Sequence, residues 1–209
     1  MVRIDHFRGF ESFWSVPVGE KTARNGQWVK GPGMKLVGTL QNWFSQLSFV
    51  AEDLGIITPE VGALLAESGL PGMKVLEFAF DPGDDGSNTH LPHTYDRNCV
   101  CYVGTHDNAT IMQWRDETEP AVVEQAVRYL GLNEQEGFAW GFIRGGMASV
   151  ADLFVAQMQD YLELGADGRT NLPGTVGGNW QWRLMEGQAT PELAARIAAV
   201  TRMYGRAAR

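Results

Sequence analysis

The chain has 209 residues, of which 44% are apolar and 20% are charged, and its net charge is −8. This length can bury one sizeable core, and the acidic balance excludes a general affinity for nucleic acid or for an anionic membrane surface. No apolar run reaches the roughly 18 residues that span a membrane, and the N-terminus lacks the apolar segment of a secretory signal, which favours a cytoplasmic protein.

The first part of the chain predicts two strands on either side of a loop and a helix. Val2–Asp5 has the composition of the last residues of a strand, and a long segment rich in glycine and proline follows it. Helical periodicity from about Lys35 to Ser45 leads into a second strand over Leu47–Glu52. The segment between the first strand and this helix is predicted to be a loop.

The next helix has clear start and stop signals. Thr58 is a plausible N-cap, Pro59 suits the first helical position, and Gly69 suits the position after the helix. Further along, the sequence predicts strands over Met73–Phe80 and Val100–Thr105, helices over Pro120–Leu130 and Pro191–Tyr204, and a segment over Val150–Val155 that periodicity does not assign to strand or helix.

This alternation of strands and helices predicts βα units around a parallel sheet, which is an α/β fold. Four or five strands can be counted, whereas a closed β/α barrel needs eight.

Three acids stand where apolar runs end, and this is the arrangement that places side chains at the catalytic end of a β/α barrel. They are Asp5, Glu52 and Asp107. Arg3 shares a strand face with Asp5, and its guanidinium would favour an ionised carboxylate that could act as a nucleophile. A structural Arg–Asp pair is the alternative interpretation.

Glu52 ends an apolar stretch, and a glutamate against an apolar wall can stay protonated near neutral pH, as a general acid must. The alternative is a surface or helix-capping acid. Asp107 lies between His106 and Asn108, and this trio could bind hydroxyl groups, bind a metal or cap a helix. Together the acids match the chemistry of a retaining glycosidase, in which two carboxyl groups lie about 5–5.5 Å apart.

Aromatic, histidine and cysteine residues add smaller indications. Trp14 belongs to a set of tryptophans in loop-like surroundings whose rings suit stacking on sugars. The four histidines lack the patterns of a zinc site, so no metal is expected. Cys99 and Cys101 lie two residues apart in one predicted strand, and we expect buried, reduced thiols rather than a disulfide between them.

Seven motifs in order make the chain similar to glycoside hydrolase family 77, the 4-α-glucanotransferases, which are also called amylomaltases or disproportionating enzymes. The motifs are Arg3–Gly9, Gly19–Ala23, Trp28–Gly33, Ala51–Gly55, Leu70–Leu76, Gly104–Asn108 and Pro173–Trp180. The resemblance covers essentially the whole chain.

The resemblance implies a role for each of the three acids. Asp5 would be the nucleophile, Glu52 the general acid and base, and Asp107 the acid that binds sugar hydroxyls and stabilises the transition state. Arg3 and His106 would line sugar subsites, and we expect Asn108 and Trp14 to contact substrate as well.

The implied fold is a (β/α)8 barrel, the implied substrates are α-1,4-glucans and maltooligosaccharides, and no cofactor is implied. Since family members reach the Arg-x-Asp motif after earlier barrel strands, residues 1–209 are expected to be the C-terminal part of the barrel, from about its fourth strand onward. The N-terminal half would then be a partner, and this chain would have little activity alone.

Two other functions remain open at this stage. The first is a fragment that binds glucans or a partner protein without catalysis, for which sugar affinity without turnover would be the signature. The second is a metal-dependent hydrolase that uses His6, Asp5, His106 and Asp107.

Overall fold

The computed structural model describes residues 1–207, which form two compact units. The first unit is Met1–Met73, the second begins at Lys74, and the boundary falls inside a strand. Among the described residues, no helix combines the length and the apolar character that crossing a membrane would require.

The first unit contains a pair of parallel strands, an antiparallel hairpin and three helices. In chain order these are β1 (Val2–Ile4), α1 (Arg8–Glu11), β2 (Ser12–Ser15), β3 (Gln27–Lys30), α2 (Met34–Trp43), β4 (Phe49–Ala51) and α3 (Pro59–Ser68). β1 and β4 pair in parallel. The core of this unit lies around Phe7, Val37 and Ala51, which are buried.

Helix α3 begins and ends where the sequence predicts. Pro59 opens the helix, and its missing N–H costs nothing there because first-turn N–H groups have no partner within the helix. Gly69 follows with a φ of 65°, in the left-handed region that glycine adopts without steric cost. Thr58 occupies the N-cap position in an extended conformation, although its side chain does not accept a capping hydrogen bond.

The segment between β1 and α2 was predicted as a loop, and this prediction is wrong. It contains the antiparallel hairpin of β2 and β3, in which Trp14 pairs with Trp28. At Gly31, just after β3, a Cβ atom would lie 2.3 Å from the carbonyl oxygen of Phe10, so the chain can pass this close only at a glycine.

The described part of the second unit contains most of a three-stranded sheet and five α-helices. In chain order the elements are β5 (Gly72–Val75), β6 (Cys99–Tyr102), α4 (Ile111–Glu117), α5 (Pro120–Leu130), α6 (Phe138–Ala148), β7 (Leu153–Val155), α7 (Met158–Tyr161) and α8 (Pro191–Met203). The strand order is β5-β6-β7, and β6 and β7 are parallel. Since β7 is a strand, the ambiguity over Val150–Val155 is settled.

The buried face of α6 forms the centre of the second core. Phe142 and Ile143 are fully buried there, and Trp140 is nearly so. Cys99 and Cys101, on β6, are buried in the same core, as predicted, and both are thiols rather than disulfide partners. Trp114 and Trp140 are therefore packing residues rather than sugar platforms.

The strand predicted over Met73–Phe80 is too long. β5 ends at Val75, and Leu76–Phe78 forms a 3₁₀ turn. This turn moves Glu77 from the middle of a predicted strand to the loop beyond the end of β5, where acids of a β/α fold carry out chemistry.

Candidate active site

Asp5 and Glu52 leave the same end of two neighbouring strands. Ile4 of β1 pairs with Ala51 of β4, so the two acids are the next residues at matching positions. The pairing continues past the strands, because the Glu52 N–H donates to the Ile4 carbonyl at 2.9 Å and the Phe7 N–H donates to the Glu52 carbonyl at 3.0 Å. Adjacent strands lie about 4.8 Å apart, so the two side chains start side by side.

Arg3 forms the expected ion pair with Asp5. Its Nη1 lies 2.8 Å from Asp5 Oδ1, and its Nε lies 3.3 Å from the sulfur of Met73. The Asp5 side chain is 77% exposed and the Arg3 side chain is 28% exposed. The pair therefore offers an accessible carboxylate beside a cation that is held on a strand.

Backbone N–H groups, rather than an apolar wall, face both oxygens of Glu52. Oε2 accepts from the His6 N–H at 2.7 Å, and Oε1 accepts from the Leu54 N–H at 2.8 Å. A carboxyl oxygen has two acceptor sites, so each oxygen keeps one site for a proton or for a substrate hydroxyl. These bonds fix the orientation of the group at the strand end.

His6 joins the two acids through an unusual backbone conformation. Its φ is 49°, in the left-handed region that a residue with a Cβ rarely adopts. Such conformations cost roughly 1–3 kcal/mol and concentrate at functional sites. Here the turn is held by the bond from His6 to Glu52 and by the fully buried side chain of Phe7.

Arg8, which sequence analysis did not single out, connects the Asp5 turn to two other segments. Its guanidinium lies 4.6 Å from the centre of the Trp28 ring and donates to the carbonyl of Ile56, in the loop after Glu52. Trp28 is 56% exposed and packs edge-on against Trp14 with a centroid distance of 5.4 Å.

Trp14 is 41% exposed, but its polar group is used inside the hairpin loop. The indole Nε1–H donates to the Ala23 carbonyl at 2.7 Å. Gly26 leaves the space for the ring, since a Cβ there would lie 2.3 Å from Nε1. Of the two tryptophans, Trp28 therefore presents the more open ring.

In the second unit, Asp107 stands on the Thr105–Asn108 turn after β6 and is held by a distant loop. Its Oδ1 accepts from Asn171 Nδ2 at 2.6 Å, and its backbone carbonyl accepts from Arg169 Nη2 at 2.9 Å. Arg169 also donates to the Asn171 carbonyl at 2.9 Å. Sequence analysis missed both partners, because they lie more than 60 residues away and no local signal connects them.

His106 and Asn108, which flank Asp107, make different contacts. His106 Nε2 lies 3.5 Å from Asp107 Oδ2, and the His106 ring lies 5.0 Å from the exposed ring of Trp180. The Asn108 side chain turns back, because its Oδ1 accepts from the N–H and the hydroxyl of Thr105 at 2.9 and 2.7 Å. Asn108 thus closes the turn, whereas His106 extends the polar surface around Asp107.

A second acid is buried behind this turn. Asp160, on α7, is completely buried, and its Oδ1 accepts from the Ile111 N–H at the start of α4 at 2.9 Å. Burial raises its pKa to about 6, and hydrogen bonds from the backbone of Ile111 and Gln157 partly offset this rise. The group therefore changes charge near neutral pH.

The described residues contain no group of three or more His, Cys, Asp or Glu side chains placed to hold a metal ion.

Comparison with known proteins gives consistent matches. The family model Glyco_hydro_77, described as 4-alpha-glucanotransferase, matches residues 1–189. The chain is 49% identical to the 4-alpha-glucanotransferase of Clostridium butyricum over 99% of its own length and 42% of that protein. It is also 49% identical to the 4-alpha-glucanotransferase of Synechocystis sp., over 99% of its own length and 41% of that protein.

A solved structure agrees with these matches. Amylomaltase from Streptococcus agalactiae, in complex with acarbose, superposes with a TM-score of 0.92 and 36% identity over 99% of this chain and 41% of that one. The chain thus spans about two fifths of the length of its relatives.

Proposed function

The chain belongs to the Glyco_hydro_77 family of 4-alpha-glucanotransferases, and we propose that it supplies the three catalytic acids of such an enzyme. The reaction is retaining transfer of an α-1,4-glucan segment from one maltooligosaccharide to another. The acceptor is a sugar hydroxyl rather than water.

Each acid has a defined task in this proposal. An Asp5 oxygen attacks the anomeric carbon while the bond to the leaving oxygen breaks, and the proton of Glu52 passes to that oxygen. The product is a glycosyl ester on Asp5. The acceptor hydroxyl then attacks the same carbon, its proton returns to Glu52, and the Asp5 carboxylate leaves.

The observation that carries this proposal is the register of β1 and β4. Asp5 and Glu52 follow the paired residues Ile4 and Ala51, and strands about 4.8 Å apart are compatible with the separation of about 5–5.5 Å that a retaining mechanism requires. The Arg3 guanidinium, 2.8 Å from Asp5 Oδ1, orients the Asp5 carboxylate for this role.

We assign Asp107 to the sugar hydroxyls and to the positive charge that develops on the sugar ring. Its bond from Asn171 and its proximity to His106 support a fixed, accessible carboxylate. His106 and Arg3 would line the neighbouring subsites. Asn108 would act through the turn, and Trp14 would act by holding the ring of Trp28.

The structural relative was solved with acarbose, and we propose that this chain takes α-glucans as substrates. We further propose that β1, β4, β5, β6 and β7 are strands of a (β/α)8 barrel, from about the fourth strand onward, that further sequence would complete. On this proposal the chain alone has little transferase activity.

Labelling of the nucleophile tests the proposal without full turnover. A 5-fluoro-α-glucosyl fluoride should form a stable ester on Asp5, which peptide mass mapping locates, and Asp5→Asn should abolish it. Glu67→Gln, a substitution in α3 outside the site, is the control and should label normally. An ester on any other residue, or labelling of Asp5→Asn, would contradict the assignment.

Turnover by the chain alone is a separate question. Incubation with maltotriose should yield little glucose and few longer oligomers. Rapid disproportionation would refute the proposal that the chain needs further sequence, while leaving the roles of the acids intact.

A further inference from the structure

Glu77 is a fourth acid at the end of a strand, and the chemistry above does not use it. It lies in the 3₁₀ turn directly after β5, which neighbours β6 in the sheet. Its N–H donates to the carbonyl of Val103, the residue after β6, at 3.2 Å. Glu77 is 8% exposed, so it lies inside the protein next to the segment that leads to Asp107.

The Glu77 carboxyl packs directly against the backbone of that segment. A Cβ on Gly104 would lie 2.3 Å from Glu77 Oε1 and 3.1 Å from its carboxyl carbon. Glycine at position 104 is therefore what allows the carboxyl group to approach. Gly104 immediately precedes Thr105, the first residue of the turn that presents Asp107.

Asn108 makes the second connection between Glu77 and the turn. Its Oδ1 accepts two hydrogen bonds from Thr105, and its side chain lies close enough to the Glu77 carboxyl to lower the pKa of that group. Glu77, Asn108 and Thr105 thus form a continuous chain of contacts behind Asp107.

The surroundings of Glu77 favour its neutral form. Burial and the charge of Asp160 raise its pKa well above the ordinary value, and Arg169 and the side chain of Asn108 oppose this more weakly. Arg169 instead directs hydrogen bonds to backbone carbonyls of Asp107 and Asn171. Within the described residues Oε1 has no hydrogen-bond partner, and a buried charge there would be costly.

We propose that Glu77 is a positioning residue for Asp107, which supports the Thr105–Asn108 turn through Gly104 and Asn108. This inference rests on the proposed role of Asp107 in binding sugar. It implies that the turn keeps its geometry while Glu77 is neutral. When Glu77 ionises, a second charge appears beside Asp160, and the turn must adjust.

The test follows the turn by NMR from pH 5 to pH 9 in the intact chain. The Glu77 carboxyl carbon reports its own titration, and the Asp107 and Asn108 amides report the turn. We expect these amides to shift together with the Glu77 carboxyl in the wild type and to lose that component of the shift in Glu77→Gln, which is a neutral mimic. The Ile111 amide reports Asp160 separately.

Glu136→Gln is the matched control, because Glu136 is a partly buried acid of the same unit that is bonded to Arg144 instead. It should behave like the wild type. Turn amides that ignore the Glu77 titration in the wild type, or that still follow the same pH course in Glu77→Gln, would overturn the proposal. The wild-type titration alone decides the matter if a variant does not fold.

Affinity for acarbose, measured over the same pH range, connects the turn to sugar binding. The wild type should lose about fivefold as Glu77 ionises, the equivalent of one net hydrogen bond, and Glu77→Gln should not. Unchanged wild-type affinity would refute a functional role for this support. Coupled amide shifts without acarbose binding at any pH would leave the positioning intact and count against the proposed function.

Discussion

Asp160 makes the stability of the second unit depend on pH in a direction that can be measured. Its side chain is completely buried, accepts from the Ile111 N–H through Oδ1, and has no partner for Oδ2 within the described residues. Replacing it with asparagine keeps the acceptor for Ile111 and removes the titration. The variant Asp160→Asn therefore isolates the contribution of the ionisable group.

The expected magnitude follows from proton linkage. The pKa rises from an ordinary value of 3.8 to about 6 in the folded state. Below 3.8 both states are protonated, and between 3.8 and 6 the unfolded chain has released a proton that the folded chain still holds, so stability falls as the pH rises. Each pKa unit is worth about 1.4 kcal/mol, which amounts to about 3 kcal/mol that is lost by pH 6 and stays lost above it.

Urea unfolding at pH 4, 5, 6 and 7 measures this effect. The free energy of unfolding of Asp160→Asn minus that of the wild type should rise by about 2.4 kcal/mol between pH 4 and pH 7, since pH 4 already lies just above the unfolded pKa of 3.8. Asp152→Asn, an exposed acid of the same unit, should show a flat difference. A flat difference for Asp160→Asn, or one that falls with pH, would show that the buried carboxyl is not held in its neutral form by the folded protein.

Further predictions concern the first unit. Gly62 lies inside α3 with open space around its Cα, so Gly62→Ala should stabilise the unit by about 0.5–1 kcal/mol in urea unfolding, whereas Gly69→Ala should destabilise it by about 1 kcal/mol because of the left-handed backbone. Equal effects of the two would contradict the capping argument. Trp28→Ala should weaken acarbose binding about tenfold if its ring stacks on sugar. Trp14→Phe should lower the free energy of unfolding by about 1 kcal/mol through loss of the hydrogen bond to Ala23. If Trp14→Phe instead weakened acarbose binding tenfold, Trp14 rather than Trp28 would be the ring that contacts the sugar.

Elements with local stop and start signals were predictable from the sequence. α3 and α5 both begin at a proline and end before a glycine in the left-handed conformation, Gly69 and Gly131. These signals act within one turn of the chain, so no tertiary information is needed to read them. The strand ends that present Asp5 and Glu52 were also predictable from a local signal, because an apolar run stops at each acid.

The hairpin of β2 and β3 was not predicted because the sequence signals in this segment do not specify strand pairing. Its two strands are separated by 11 residues rich in turn formers. Gly31 passes close to the backbone of Phe10, a residue that lies outside the hairpin. Glycine and proline in such a segment indicate turns but not whether the turns bring strands together. The segment predicted as a loop is therefore a hairpin that supports Trp28.

The contacts that fix Asp107 show a further limit of sequence reasoning. Asn171 and Arg169 reach Asp107 from more than 60 residues away, and Glu77 reaches the same turn from the end of another strand. The sequence predicts Glu77 inside a strand over Met73–Phe80, whereas β5 ends at Val75 and Glu77 lies in the turn that follows it. What marks the site is a buried acid against a glycine. That combination makes Gly104 as informative as the acids themselves, because an acid can approach a backbone this closely only where no Cβ stands.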